Sequence, residues 1–254
     1  RGLDIGRETM QPIYDFVETH DEEPFFLWYA PFLPHTPHTP PKRLLQKYRD
    51  EGRSVAVAKY YAMVEWFDET VGHLLDYLDE QGLREDTLVL FAVDNGWIQN
   101  PDWARSAYLE ETPYAPRSNR SPNEDGVRTP ILVRWPGHVE PGRRTELAST
   151  VDFFPTVLDA LGTEKSSALP GRSLIQLAKG TTAREAVYGE IFTHDVADLS
   201  RPTAGLKYRW VRKGDWKLIE PHDAGPAKDE RAALYNIDED PSEQNNRIEE
   251  HPEL

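Results

Sequence analysis

Cysteine is absent, which excludes disulfides, thiolate metal sites and a cysteine nucleophile within this chain. No apolar run approaches the roughly 20 residues a helix needs to span a bilayer, so no membrane span is expected. The opening RGLDIGRETM has no hydrophobic signal core. Basic residues are few relative to acidic ones, 29 against 44, for a formal net charge of -15. That balance repels phosphate backbones and leaves no dense basic stripe, so nucleic acid is not an expected partner. Internal repeats and low-complexity tracts are also missing. The chain opens without Met, straight into helix-like sequence, and the expectation is a processed or truncated polypeptide. What is present, 38% hydrophobic residues in a chain of 254, suffices to bury one sizeable core with a smaller satellite unit.

Hydrophobic periodicity organises the chain. Residues 8 to 18 read as a short amphipathic helix, and PFFLWYA (residues 24–30) as a strand buried on both faces of a parallel sheet. Five prolines between Pro31 and Pro41 then impose an irregular loop at the strand's carboxyl end. From about 58 to 80, Tyr61, Val64, Phe67, Val71, Leu74, Leu75 and Leu78 recur at helical spacing among acids, giving a long surface helix that stops near Gly82. TLVLFAV (87–93) and RTPILVRW (128–135) read as further strands, and PTVLDALG as a helix opening near Pro155. The alternation favours an α/β architecture with a parallel-dominated sheet over residues 1–162. A linker-like stretch follows at 163–184. Residues 185–254 then read as a small antiparallel unit of short strands, AVYGEIF, YRWVRKGDWKLIE and ALYNI, with an acidic tail forming a final turn and helix. Lys207, Arg209, Arg212 and Lys217 on those strands either border a cleft or alternate outward to solvent, the commoner arrangement.

Ligands in open parallel sheets gather at the carboxyl ends of strands. The second strand ends in Asp94-Asn95-Gly96: a carboxylate and an amide oxygen suit a hard cation, and the glycine permits a sharp bend, although DNG is also a common turn. His35 and His38, on the proline loop, can hold an anion or donate a proton near neutral pH; as loop histidines they need do neither. Asn119 to Arg128 carries cations and acids just before a strand, a pattern that also suits a solvated loop. Trp97, Trp103, Tyr108 and Tyr114 supply either an aromatic wall for a sugar or aryl group or packing for their own long loop.

PFFLWYAPFLPHTPH, MVEWFDETVGHLLDYLDEQG, LVLFAVDNGW, EDGVRTPILVRWPG, VDFFPTVLDALG and LYNIDEDPSEQNN, in this order, resemble the later portion of the type I, formylglycine-dependent sulfatases. The resemblance runs from about Met10 to the end. It implies an alkaline-phosphatase-like α/β/α sandwich, present in part, plus a small C-terminal antiparallel sheet with a helix. It also implies hydrolysis of sulfate esters in arylsulfatase-like chemistry, a bound calcium, and a sulfated small molecule or carbohydrate as substrate. By position, Asp94 and Asn95 fall on the family's metal-binding pair, and His35 on the histidine of its Pro-His-x-Pro motif, which contacts sulfate and assists the leaving group; His38 and Trp97 are taken as substrate-side neighbours. Asn119 stands where the family places a sulfate-contacting lysine, and Asp125 where it places a glycine; Arg120 or Arg117 can replace the lost cation if the loop aims either inward. A charge-assisted contact is roughly twice as strong as a neutral one, so the replacement of lysine by Asn119 matters.

The family's Asp-Asp metal pair and its Cys-x-Pro-x-Arg or Ser-x-Pro-x-Arg nucleophile motif are not found in this sequence. The expectation is that the part carrying formylglycine lies outside this chain, that the calcium site here is incomplete, and that the chain alone is inactive. A phosphodiesterase or phosphonate hydrolase of the same superfamily, and a non-catalytic pseudo-sulfatase binding module, are the alternative readings. The resemblance favours a periplasmic or secreted location, while oligomeric state is not legible.

Overall fold

The computed structural model describes residues 4–96, 117–164 and 166–254. The chain divides into two compact units, whose described residues are 4–87 and, for the second, 88–96 with 117–164 and 166–254.

The first unit is helical. Helix α1 (Gln11–His20) has proline in its first turn, where a missing N–H costs nothing, and buries Ile13 and Val17. Helix α2 (Lys42–Asp50) begins as the proline run ends and buries Leu44. Helix α3 (Val55–Glu80) is 26 residues, about 39 Å at 1.5 Å per residue. The Ser54 hydroxyl caps it by accepting the Val57 N–H, and small residues, Ala56, Ala58 and Ala62, line its buried face with Met63. Helix α2 lies along α3, with Lys47 pairing Glu65 at 2.7 Å and Arg43 chelating Glu69. These pairs are largely exposed and add little stability; the burial of Leu44 is the larger contribution from α2.

Residues 24–30 correct a sequence expectation. They form no strand, and Phe26 and Trp28 are 76% and 82% exposed. A strand buried on two faces needs neighbours to accept its ladder, and no described strand pairs with this segment. Helix α2 was not foreseen, because its charge density conceals one buried leucine.

In the second unit, β1 (Val89–Ala92) and β2 (Ile131–Arg134) pair antiparallel, Leu90 opposite Val133. Large doubly wound sheets carry such antiparallel pairs at an edge. A short helix, α4 (Glu124–Val127), precedes β2. After β2, a 3-10 turn (Thr150–Asp152) leads into α5 (Phe153–Ala160), and residues 163–184, expected as linker, contain α6 (Leu174–Ala178) packed beside α5. Asp152 ties this region together. Its fully buried carboxylate accepts the N–H groups of Ser149 and Arg172, each at 2.8 Å, and pairs with Arg184.

Strands β3 (Ala186–Phe192), β4 (Leu206–Lys213), β5 (Trp216–Pro221) and β6 (Ala233–Asn236) form the expected antiparallel meander. One face packs Tyr208, Trp210, Ile219, Tyr235 and Ile237. Each fully buried side chain of that size contributes roughly 1.5–3 kcal/mol. The Trp210 ring lies over its cross-strand partner Gly189, where any Cβ would collide with it at 2.4 Å. The tail after Asp238 forms turns, with no helix among them, a correction to the expected terminal helix.

Candidate functional site

The turn that follows β1 belongs to the second unit. Asp94 and Asn95 are both exposed there. The Asp94 Oδ1 accepts the Asn95 N–H at 2.9 Å, leaving Oδ2 outward. The Asn95 amide nitrogen donates to the Gly96 carbonyl at 2.9 Å, which leaves its oxygen as an outward acceptor. Two hard oxygen donors therefore stand at the end of a strand, as a calcium ion prefers. Calcium takes roughly six to eight oxygens. Among the described residues no cluster of three or more His, Cys, Asp or Glu is placed to hold a metal ion. The pair is of the donor type calcium takes, and two oxygens alone fall short of the number such an ion needs.

The turn rests on the loop that precedes β2. A Cβ placed on Gly96 would lie 1.8 Å from the Asp125 carbonyl oxygen, and one on Gly126 would lie 2.3 Å and 2.4 Å from the Ser118 and Ser121 carbonyl oxygens. These contacts require glycine at both positions. The structure thus brings the Asp94–Asn95 turn and the 118–128 loop together. Asn119 is half-buried and Arg120 exposed, the latter with no hydrogen bond or ion pair among the described residues. Arg117 is already committed, donating to the Glu243 carbonyl. Of the two arginines weighed as substitutes for the family's lysine, Arg120 is the one without a partner among the described residues.

Beneath the loop is a charge cluster that sequence reading missed. Lys217 is fully buried, 2.9 Å from Glu124 and 3.2 Å from Glu243. Arg212, its direct cross-strand partner, also reaches Glu124, at 3.3 Å. The Glu243 carboxylate in turn accepts the Glu124 N–H at 2.6 Å. Alternation was the available signal: Lys217 shares a strand face with Ile219 and Pro221, both buried, so it had to point inward.

His35 and His38 lie in the first unit. The loop bearing them contains cis peptide bonds at Leu33-Pro34 and Thr36-Pro37. Arg7, another residue not singled out from sequence, holds the loop by donating to the His35 carbonyl at 2.8 Å and the Pro37 carbonyl at 3.1 Å. The exposed His35 ring places Nδ1 2.8 Å from the Thr36 carbonyl. A carbonyl only accepts, so Nδ1 carries the proton and Nε2 is left to exchange one with a ligand.

His38 is half-buried beside Tyr60. Burial pushes its imidazole down to about 4, with help from the charges of Arg7, His35 and Lys59 and against a hydrogen bond to the Pro34 carbonyl. It is a neutral hydrogen-bonding group at pH 7 and brings no full positive charge to an anion. The unfolded chain binds a proton near pH 6.5 and the folded one only near 4, so His38 leaves stability unchanged above pH 6.5 and lowers it as pH falls from about 6.5 to about 4. Allowing for partial exposure, the loss is about 1–2 kcal/mol. Urea midpoints at pH 7 and 4.5 for wild type and His38→Gln measure it; the variant should lose that part of the dependence.

Trp97, Trp103, Tyr108 and Tyr114 lie outside the described residues.

Comparison with known proteins matches residues 6–163 to the Sulfatase family model and residues 118–253 to the model described as N-sulphoglucosamine sulphohydrolase, C-terminal. An N-acetylgalactosamine-6-O-sulfatase of Bacteroides thetaiotaomicron is 28% identical, over 94% of this chain and 46% of that protein. A solved structure from work on glycosaminoglycan metabolism by the same bacterium superposes with a TM-score of 0.75 at 28% identity, covering 100% of this chain and 52% of that one. A phosphonate monoester hydrolase of Silicibacter pomeroyi has a similar fold, at a TM-score of 0.59 and 23% identity, over 78% of this chain and 38% of that one. The chain spans about half the length of the first two of these proteins.

Proposed function

Because the chain belongs to the sulfatase family, corresponding to a C-terminal portion of its alkaline-phosphatase-like α/β fold, we propose that it is one part of a calcium-dependent enzyme hydrolysing sulfate esters of carbohydrates. The observation that carries this reading is the outward Asp94–Asn95 pair at the carboxyl end of β1, wedged by Gly96 against the 118–128 loop. A sulfated carbohydrate is the substrate class favoured by the name of the N-acetylgalactosamine-6-O-sulfatase relative. Division into a partial catalytic domain and a C-terminal subdomain, and export to the periplasm or medium, belong to the same proposal and rest on the family resemblance.

Asp94 and Asn95 would hold part of a calcium shell, and calcium, when bound, would supply positive charge to the site. His35, oriented by its own Nδ1 contact to Thr36 and by the grip of Arg7 on its backbone, would as imidazolium donate its Nε2 proton to the departing alcohol oxygen and be left neutral, with Nδ1–H still on the Thr36 carbonyl. Arg120 contributes a cation near the place where Asn119 offers only an amide. Formylglycine has no residue here to arise from, since the sequence holds no cysteine and no serine in Ser-x-Pro-x-Arg order. The exposed Phe26 and Trp28 segment is the surface on which strands from the complementary part of the enzyme would form their ladder.

The purified chain should therefore give no turnover of an aryl sulfate, with or without calcium, and turnover should appear when it is part of a polypeptide carrying the nucleophile motif. In calorimetric titration of the complete enzyme, Asp94→Ala should weaken calcium binding about tenfold or more. Turnover by the chain alone, or unchanged calcium affinity in the variant, would contradict the reading. The lysine-to-Asn119 exchange gives a second reading, phosphonate or phosphodiester hydrolysis, and the ratio of sulfate to phosphonate ester turnover in the complete enzyme decides between them.

A further inference from the structure

The charge cluster under the 118–128 loop has more order than a solubilising surface needs. It comprises two carboxylates and two cations. Lys217 and Arg212 sit directly opposite each other on β5 and β4, an arrangement of like charges that is unfavourable in a sheet unless an anion lies between them. Glu124 is that anion, taking Lys217 on Oε1 and Arg212 on Oε2. Glu243 completes the set, with Oε2 on the Glu124 N–H and Oε1 near the Lys217 ammonium. The ammonium also lies 5.3 Å from the Trp210 ring centre.

Backbone strain is concentrated at the same place. Among the described residues, the non-glycine residues with positive φ are Arg117 at 60°, Arg120 at 66° and Glu243 at 52°. Side chains disfavour this region, and such conformations persist only where surrounding contacts enforce them. Two of the three are joined directly, by the Arg117 guanidinium on the Glu243 carbonyl. The third is in the loop itself.

The contacts run from the cluster to the turn without a gap. Glu124 opens α4; the next residue, Asp125, presents its carbonyl to Gly96, and Gly126 is clasped by the Ser118 and Ser121 carbonyls. Gly96 closes the turn bearing Asp94 and Asn95. The Val93 N–H, on the other side of that turn, is held by the Thr129 hydroxyl at 2.7 Å, so the loop grips the turn on both sides.

We propose that Lys217 is a positioning residue that acts through Glu124 to fix the Asp94–Asn95 turn, so that the C-terminal sheet sets the geometry of oxygen ligands it does not itself provide. The inference rests on the metal-side reading of that turn only for its purpose; the mechanical coupling is independent of it.

Backbone amide exchange in the full chain tests the coupling, using the hydrogen-bonded amides of Val93, Asn95, Gly126, Val127 and Arg128. Lys217→Met should speed exchange at Val93 and Asn95 as well as at 126–128, by about tenfold or more, through local opening. Lys217→Arg, which keeps the cation, should restore much of the protection. Loosening confined to β3–β6, with wild-type exchange at Val93 and Asn95, would overturn the proposal. If Lys217→Met does not fold, Glu124→Gln keeps the shape and removes the charge; the same pattern is expected, and unchanged exchange at Val93 and Asn95 again overturns it. Calcium titration of Asp94→Ala is a separate readout: unchanged affinity there defeats the metal reading and leaves the exchange result standing.

Discussion

Replacing Asp152 with Ala should destabilise the second unit by about 3–5 kcal/mol, the largest loss expected from any substitution remote from the site. The carboxylate is fully buried and its oxygens bond the Ser149 and Arg172 N–H groups and the Arg184 guanidinium. The same residue's carbonyl accepts the Thr156 hydroxyl at 2.6 Å, and that hydroxyl accepts the Leu174 N–H at 2.8 Å. Truncation strands a guanidinium that is 10% exposed and orphans two backbone donors, whereas the pair itself, formed against the cost of desolvation, adds little net stability. The prediction therefore concerns breaking the pair rather than its intrinsic strength. Asp152→Asn, which keeps an acceptor, should lose less. Urea unfolding followed by tryptophan fluorescence in the C-terminal sheet measures both, and a loss under about 1 kcal/mol for Ala would show that Arg184 finds water instead.

Asp152 also shows what sequence reading resolves and what it does not. The helix at 153–160 was visible as an apolar period after a proline, but the value of the acid before it was not. Its partners Arg172 and Arg184 lie 20 and 32 residues on, in a stretch whose Ser, Thr, Gly and Lys composition suggests a linker. Composition reports average solvation, and Gly171 is there because the backbone passes so close that a Cβ would meet the Val151 carbonyl at 2.2 Å. Lys217 is the same lesson in a strand. Residue type suggested the surface, whereas period-two burial of Ile219 and Pro221 placed it inside.

The meander and the long helix were legible because each has an internal period, and the two strands flanking the site as short apolar runs, although a parallel sheet was expected and the two pair antiparallel. The segment 24–30 misled for a physical reason: an apolar run records that a surface is to be covered and does not say which residues cover it. With Phe26 and Trp28 exposed here, that run retains the character of a core strand without its neighbours. The functional loop was legible in part. Asp94, Asn95 and the Glu124–Arg128 segment are marked by residue type and family resemblance, but their direct contact through Gly96 leaves no signature in the sequence.

Gly96→Ala follows from that contact and should be the most damaging single-methyl change near the site. The glycine is not needed for a left-handed φ; it is needed because its α-carbon faces the Asp125 carbonyl, 1.8 Å from where a Cβ must go. Neither side yields easily. Asp125 is inside α4, whose N-terminal residue Glu124 is held by Lys217, Arg212 and Glu243, while the turn is held at Val93 by Thr129. Overpacking against backbone of this kind costs about 2–4 kcal/mol when the structure cannot shift. If the turn moves instead, the global cost falls and the outward oxygens of Asp94 and Asn95 are displaced. Unfolding midpoint and calcium affinity should consequently trade against each other, with at least one of them clearly reduced. Gly96→Ala combined with Lys217→Met should destabilise by less than the sum of the two, since a released loop can accommodate the methyl. Full additivity in that double-mutant cycle, with wild-type calcium affinity throughout, would mean that the loop and the turn are neighbours without being coupled.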